Sequence, residues 1–564
     1  MEYREKYNDW LENEYFDEKT REELRALKDD EREIEDRFYK DLTFGTAGLR
    51  GKIGAGTNRM NKYTVALATQ GLANVIVKRG EEAKKRGVAI AYDVRKFSDE
   101  FAEISARVLA ASGIKTYLYD DIAATPILSY TVRRLNTISG IVVTASHNPK
   151  DYNGYKVYWE EGSQILDEMA DEILEEIDKI DSFDKVKIAD KEEAMESGLL
   201  EYIGKEIKDE YIEKIVDMKI NEDIEKDIKI VYTPLNGTGN IPVRRVLADR
   251  GFTNIEIVKE QEKPDPNFTT AEYPNPEDVK AFEYADRLGR QVNAEILIAT
   301  DPDCDRVAMG VKDLKGDGYV YLNGNQIGAL LVNYVLSSRS QKGDLPENGA
   351  IVKSIVTGDL GKAIAKKYGI KTFESLTGFK YICEWPNRWD ETGEYSFIFG
   401  YEESIGYVYN DLVRDKDAVV SSMLIAEMAA YYKKMNKSLL AVLEDVYEEF
   451  GYYNERLISV VLEGVEGQRR IARIMESVRK DPLITIDDMR LERSIDYLND
   501  VTELAPSNVL KYYLDDGSWY AIRPSGTEPK LKLYIYSIGK TLEDSQKKVN
   551  LIEETVKARM QSVE

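Results

Sequence analysis

Apolar runs and amphipathic stretches alternate along most of the chain. GVAIAYDVR at 87–95 reads as a strand, the segment from Ser98 as a helix, GIKTYLYDD as a strand, ILSYTVRRL as a helix and GIVVTASHNP as a strand. Short runs of this kind, each followed by a segment of helical period, predict βα units building a largely parallel sheet. The rhythm restarts with a strand at 227–233, a helix near 241–250, strand NIEIV, helix PEDVKAFEYADRL and strand AEILIATDPDCDR. A third round runs from GAIVKSIVTGD through a helix at 359–368 to strand YSFIFGYEES and a long helix over about 417–434. Three tandem units fit this pattern better than one giant sheet.

The flanks read differently. Residues 1–40 are dense in Glu, Arg and Tyr, with Trp10, Leu11, Tyr15 and Phe16 at roughly helical spacing, which predicts a helical N-terminal extension packed on the first domain. The acidic stretch from about 165 to 215 has few apolar residues per turn and predicts a helical lead into the second unit. The last hundred residues, with YYNERLISVVLEG, a helix, WYAIRPSGTEPKLKLYIYSI and a closing helix, predict a smaller α+β domain. The fold class is therefore α/β: an extension at 1–40, three related α/β domains with mixed, largely parallel sheets at 41–206, 207–322 and 323–447, and an α+β domain at 448–564.

Composition narrows the function. The 564 residues are 43% hydrophobic and 32% charged, an ordinary globular balance. A net charge of −25 argues against a nucleic-acid partner, which demands a basic face. An acidic protein that handles phosphate esters must concentrate Arg and Lys locally, so the basic residues in Gly-rich loops are the ones to inspect. The start, MEYREKYNDW, does not resemble a signal peptide, and no stretch of about 18 apolar residues occurs; the expectation is a cytoplasmic protein without a membrane partner. Cys304 and Cys383 stand apart, and His147 is the single histidine, so any metal must be held mainly by oxygen.

In open α/β sheets ligands gather at the carboxyl ends of strands, and four loops qualify. TASHNP, Thr144–Pro149, sets Ser146 beside His147 after an apolar strand. A plain Ser/Asn/Pro turn is the bland alternative. A hydrolase triad is disfavoured, because adjacent Ser and His rarely present base to hydroxyl and no GxSxG elbow is present. Ser146 could instead carry a phosphate. DPDCDR at 301–306 offers Asp301, Asp303 and Asp305 at alternate positions. As a calcium loop it fails, having Arg306 and Lys312 where Gly and Glu belong. Hard oxygen ligands with room for a phosphate suit magnesium, with Arg306 as charge partner, against a solvated acidic turn as the alternative.

GYEESIG at 400–406 offers Glu402 and Ser404 to sugar hydroxyls. A glycosidase pair, Glu402 with Glu403, is disfavoured because neighbouring strand residues face opposite ways. RPSGTEPK at 523–530 combines a guanidinium, two hydroxyls and a Gly, the components of a phosphate cradle or of a simple β-turn. FGTAGLRG at 44–51 lacks the dinucleotide spacing and follows no clear strand; Arg50 is its member of interest.

With these loops quoted, the chain resembles the α-D-phosphohexomutase family from Phe44 to the C-terminus, in the order TASHNP, DPDCDR, GYEES, RPSGTEP. The phrasing of FGTAGLRG and GYEESIGY looks most like the branch holding Gram-positive α-phosphoglucomutases and phosphopentomutase-like relatives. The resemblance implies four domains around one central cleft. It implies that Ser146 is a phosphoserine, that Asp301, Asp303 and Asp305 bind Mg²⁺ together with a phosphoserine oxygen, that Lys156 transfers a proton from a lowered pKa, and that Arg50 lines the same centre beside His147. Thr377 and Gly378 would distinguish the faces of the sugar, Glu402 and Ser404 read its hydroxyls, and Arg523, Ser525, Gly526 and Thr527 grip the phosphate not being transferred. Several bacterial members follow the sugar loop with Gly-His, whereas Ser404 is followed here by Ile405, Gly406 and Tyr407, so Lys416 in RDKD is the candidate cation near the sugar. The implied reaction interconverts hexose 1- and 6-phosphates through a 1,6-bisphosphate, with glucose 1,6-bisphosphate as activator. Rival expectations are a pentose or mannose substrate, a silent sugar-phosphate sensor and a phosphatase.

Overall fold

The computed structural model describes residues 2–45, 48–462, 464–525 and 530–563. Four main sheets follow one another along these residues. In the first, Val88–Tyr92 pairs in parallel with both Thr116–Tyr119 and Ser139–Val143. In the second, Ile230–Thr233 does the same with Ile255–Ile257 and Ile296–Thr300. In the third, Gly349–Ser354 is flanked in parallel by Lys371–Ser375 and Ser396–Glu402. The strands at these centres, VAIAY, IVYT and GAIVKS, are buried along nearly their whole length, which is why they read as continuous apolar runs rather than alternating ones.

Each of these sheets then reverses direction. Ser139–Val143 is followed by antiparallel Tyr152–Trp159, Ile296–Thr300 by Val307–Lys312, and Ser396–Glu402 by Gly406–Tyr409. The reversals are TASHNP, DPDCDR and the ESI turn at 403–405. Each contains a non-glycine residue in the left-handed region, Ser146 (φ 51°), Cys304 (φ 56°) and Ile405 (φ 55°). Such residues carry a conformational cost that surrounding structure must offset, and they concentrate at functional sites. The fourth sheet is antiparallel throughout, running Tyr452–Val461, Lys530–Gly539, Trp519–Pro524, Leu510–Leu514, Met489–Asp496 and Thr485–Ile486 across its width.

Two sequence expectations change. The stretch over 165–215 is not simply a helical lead: between its helices lies the strand Leu200–Ile203, which completes the first sheet beside Thr116–Tyr119. Four residues on a sheet edge, with exposed Glu201 and Tyr202 in the middle, give too little period to be read from sequence. FGTAGLRG does not follow a strand because it is itself partly one. Gly48–Lys52 pairs with Tyr152–Trp159, with Gly48 opposite Lys156 and Arg50 opposite Gly154. A Cβ on Gly48 would lie 1.8 Å from the Tyr155 carbonyl oxygen, so only glycine permits this approach.

Residues 2–38 form the helices Glu2–Glu12, Glu18–Ala26 and Glu31–Phe38. Trp10 stacks on Phe16 at 4.1 Å and meets Tyr63 edge-on at 5.6 Å, while Tyr15 donates its hydroxyl to the Phe183 carbonyl. The aromatic residues that set the helical spacing are thus the ones that fasten these helices to the rest of the chain. No helix among the described residues is long and apolar enough to cross a membrane.

Candidate active site

Ser146 is held by its own loop before anything else touches it. Its backbone N–H donates to Thr144 Oγ1 at 2.8 Å, and Thr144 Oγ1 in turn donates to Asp93 at 2.7 Å. Arg95, buried beside Asp93, donates to the carbonyls of Ser146 and Asn148 at 2.5 Å each and to that of Pro149 at 2.8 Å. Asp93 and Arg95 therefore brace the left-handed turn, and the sequence reading passed over both. The available signal was their place in YDVR, at the carboxyl end of the neighbouring parallel strand.

From this loop the Ser146 hydroxyl donates to Asp301 Oδ2 at 2.7 Å and lies 3.1 Å from His147 Nδ1. Adjacent Ser and His do meet here, contrary to the expectation, because the left-handed turn at Ser146 folds the two side chains together. The pair is still no hydrolase triad. The Ser146 hydroxyl donates to Asp301, and among the described residues no acid hydrogen-bonds the His147 ring to orient it as a base; burial, with Arg306 and Arg50 beside it, pushes the imidazole well below its ordinary pKa. Arg50 donates to Asn148 of the same loop at 3.3 Å.

Asp301, Asp303 and Asp305 are fully buried and each offers an oxygen to one point, those atoms lying within 4.8 Å of one another. Asp301 accepts from the backbone N–H groups of Asp305 and Arg306, which shapes the turn. Burial and repulsion from Asp303 and Asp305 push the Asp301 carboxyl well above its ordinary range. Asp303 Oδ1 and Asp305 Oδ1 are buried without a hydrogen-bond partner. A crowd of buried carboxylates with unused oxygens is the arrangement a metal ion completes, so this triad fits one.

Lys156 Nζ lies 2.8 Å from Asp303 and 3.3 Å from Asp305, and Lys416 Nζ lies 3.1 Å from Asp305 and 2.9 Å from Asp415. Burial alone would favour a neutral amine, but Asp303 and Asp305 outweigh it and raise the pKa of Lys156. The expected lowering at Lys156 is thus reversed: its nearest charges are carboxylates, not cations. Arg306 donates to the Ser404 carbonyl at 2.7 Å, and Arg306 pairs with Gly406 in a short antiparallel bridge. That bridge sets the DPDCDR turn directly against the GYEES turn.

Glu402 is buried and accepts from the Gly378 N–H at 2.7 Å. Burial and the neighbouring Glu403 push its carboxyl above the ordinary range. Glu403 turns away to accept from Thr357 Oγ1 at 2.9 Å, so the two acids face different ways. Thr377 Oγ1 is buried without a partner beside this pair. Ser404 meets Arg306 through its carbonyl. Arg523 and Ser525 sit at the end of Trp519–Pro524, where the Ser525 N–H donates to the Lys530 carbonyl of the paired strand Lys530–Gly539. Gly526 and Thr527 lie outside the described residues.

Family models for the three α/β/α domains of phosphoglucomutase/phosphomannomutase match residues 41–184, 209–316 and 323–450, and that for the C-terminal domain matches 486–537. The chain belongs to the phosphoglucomutase/phosphomannomutase family. It is 38% identical to a phosphoglucomutase of Staphylococcus aureus (strain N315) over 543 residues, covering 93% of this chain and 95% of that one. It is equally 38% identical to a phosphoglucomutase of Staphylococcus haemolyticus, over 88% of this chain and 90% of that one. The fold is shared with a phosphoglucomutase, pp63/parafusin, from Paramecium in an open form, at a TM-score of 0.71 and 18% identity, over 93% and 95% of the chains. As a phosphoglucomutase/phosphomannomutase family member the chain is a phosphotransferase mutase.

Proposed function

We propose that this protein interconverts glucose 1-phosphate and glucose 6-phosphate through a phosphorylated Ser146. The carrying observation is that the Ser146 hydroxyl meets Asp301 at 2.7 Å, at the rim of a buried carboxylate triad with unpartnered oxygens. Charge supports the reading. Arg50, Arg95, Lys156, Arg306 and Lys416 gather at this centre with Asp93, Asp301, Asp303, Asp305 and Asp415. A divalent cation beside Asp301, whose carboxyl is now pushed up by burial and by Asp303 and Asp305, would favour its ionised form and offset the charge of a phosphoserine.

Asp301, Asp303 and Asp305 would hold magnesium with a phosphoserine oxygen, and bound magnesium supplies positive charge to the transferring group. The sugar 6-hydroxyl oxygen attacks phosphorus while the bond from phosphorus to Ser146 Oγ breaks. Lys156, held as an ammonium, gives a proton to the departing Oγ and takes one from the attacking hydroxyl, ending as it began. Arg306 and Arg50 steady the phosphoryl oxygens. Glu402, Ser404, Thr377 and Gly378 orient the sugar, Lys416 stands as the cation beside it, and Arg523, Ser525, Gly526 and Thr527 hold the other phosphate. The 1,6-bisphosphate turns over, and its second phosphate returns to Ser146. Free glucose 1,6-bisphosphate charges enzyme that has lost its phosphate.

The test is turnover of the 1-phosphates of glucose, mannose and ribose with magnesium and a trace of glucose 1,6-bisphosphate, followed by phosphorus NMR. Glucose 6-phosphate forming fastest supports the reading. A faster ribose or mannose reaction moves the substrate, and inorganic phosphate as sole product replaces the mutase reading with a phosphatase.

A further inference from the structure

The Thr377–Gly378 turn is held from two sides. On one side the Gly378 N–H donates to Glu402 at 2.7 Å. Gly378 itself has φ 122°, a conformation that side-chain-bearing residues rarely adopt, and it ends at the first turn of the helix Phe379–Thr392. On the other side, that first helical turn reaches out of its own domain. Lys380 Nζ lies 2.7 Å from Asp167 Oδ1, and the Tyr381 hydroxyl donates to Asp167 Oδ2 at 2.9 Å. Asp167 is the first residue of the helix Asp167–Asp178, which packs in the first domain against Lys62–Lys78.

One carboxylate of the first domain thus uses both its oxygens to fix two consecutive side chains directly after the turn in the third. The asymmetry of burial is informative. The Lys380 side chain is 7% exposed and that of Asp167 51% exposed, so a long buried cation is pinned by an acid reached from solvent. A buried, paired ammonium on one turn of helix has little freedom, and the residues immediately before it inherit that restraint. Tyr381 also lies within the field of Arg523, the arginine at the end of the fourth-domain strand. The clasp therefore sits where elements of the first, third and fourth domains approach one another.

We propose that Asp167 is a positioning residue for sugar recognition, fixing the Thr377–Gly378 turn through Lys380 and Tyr381. The proposal rests on the reading of Thr377 and Gly378 as sugar-facing. Losing the carboxylate frees the first turn of Phe379–Thr392 and lets Thr377 Oγ1 drift from the place where a hydroxyl of bound sugar would meet it. The chemistry at Ser146, whose hydroxyl and backbone are held by Asp301 and Thr144, is untouched. The effect belongs to KM and to discrimination between sugars, not to kcat.

The experiment compares kcat and KM for glucose 1-phosphate and mannose 1-phosphate, at saturating glucose 1,6-bisphosphate, in the full chain and in Asp167→Asn, Asp167→Glu, Lys380→Met and Asp167→Asn/Lys380→Met. The expected result is a KM for glucose 1-phosphate about five- to tenfold higher in Asp167→Asn, with kcat within twofold and the preference between sugars narrowed. Asp167→Glu should recover most of the loss, and the double variant should be no worse than the poorer single variant. An unchanged KM in Asp167→Asn, or kcat falling together with melting temperature, overturns the proposal. Thr377→Ala in the same assay separates the two failures. If it raises KM while Asp167→Asn does not, the clasp is wrong and the sugar-facing turn stands; if Thr377→Ala changes nothing, the underlying reading of the turn fails.

Discussion

Ser146 and Asp301, in the reversals that follow strands of the first and second sheets, are joined by a hydrogen bond of 2.7 Å from hydroxyl to carboxylate. The bond brings a left-handed serine against the rim of a buried triad, and it is the point where two repeats of the same strand-reversal meet. Phosphorylating Ser146 would replace a donor with a dianion beside three acids, which demands a cation in the same place. Magnesium should therefore raise the melting temperature of the phosphorylated protein more than that of the unphosphorylated one. Ligand at about 100 times its Kd contributes about 2.7 kcal/mol, enough to read by calorimetry. Asp303→Asn should abolish the magnesium-dependent rise and lower kcat by about 10²-fold or more.

The brace beneath Ser146 makes a separate prediction. Arg95 and Asp93 are both fully buried at their side chains, 3.2 Å apart. Arg95→Ala leaves Asp93 without its cation and frees the carbonyls of Ser146, Asn148, Pro149 and Tyr152, so it should cost about 3–5 kcal/mol of stability in denaturant unfolding. Arg95→Lys keeps a charge but loses the fork that spans Ser146, Asn148 and Pro149. Its kcat should fall at least tenfold, with a smaller loss of stability.

Glu402 and Glu403 should separate cleanly in kinetics. Glu402 accepts from Gly378 in the turn read as sugar-facing, whereas Glu403 accepts from Thr357. Glu402→Gln should raise KM for the sugar phosphate by about tenfold or more. Glu403→Gln should leave KM within about twofold and show itself in the melting temperature, since Thr357 loses a charged acceptor.

Lys511 carries a pH dependence away from the catalytic centre. It is buried, donates to the Ile355 carbonyl at 2.6 Å and lies 4.0 Å over the Trp519 ring. Burial, only partly countered by Glu374 and Asp359, lowers its pKa to about 8. Between pH 8 and about 10.5 the unfolded chain then binds more protons than the folded one, so this group makes stability rise with pH across that window. The full rise is about 3 kcal/mol. Lys511→Met removes this contribution, so variant stability minus wild-type stability should fall by about 3 kcal/mol from pH 8 to pH 10.5. A pH-independent difference would place the ammonium in water instead.

The four chemical loops were legible because each follows a buried strand and concentrates residue types with few other uses in such a place. Ser146, the three aspartates and Arg306 do come together, as their positions at strand ends suggest, and Lys156 and Lys416, which only the family resemblance singled out, join them. What the sequence concealed acts through backbone or through short, edge-bound structure. Arg95 works on carbonyl oxygens, which leave no pattern in the residues they belong to. Leu200–Ile203 is too short to show a period, and Gly48–Lys52 is a strand defined by glycine's close approach rather than by apolar content. The pKa of Lys156 was misjudged because sequence shows the neighbours of a loop and not those of a side chain: Asp303 lies 147 positions away and 2.8 Å distant.

The central claim is that Ser146 carries the phosphoryl group in transit. Protein incubated with magnesium and glucose 1,6-bisphosphate labelled in both phosphates should acquire label on the peptide containing Ser146, and a chase with unlabelled glucose 1-phosphate should return that label to sugar phosphate. Ser146→Ala should take up none. Label on another residue, uptake by Ser146→Ala, or release of the label as inorganic phosphate during the chase would contradict the account.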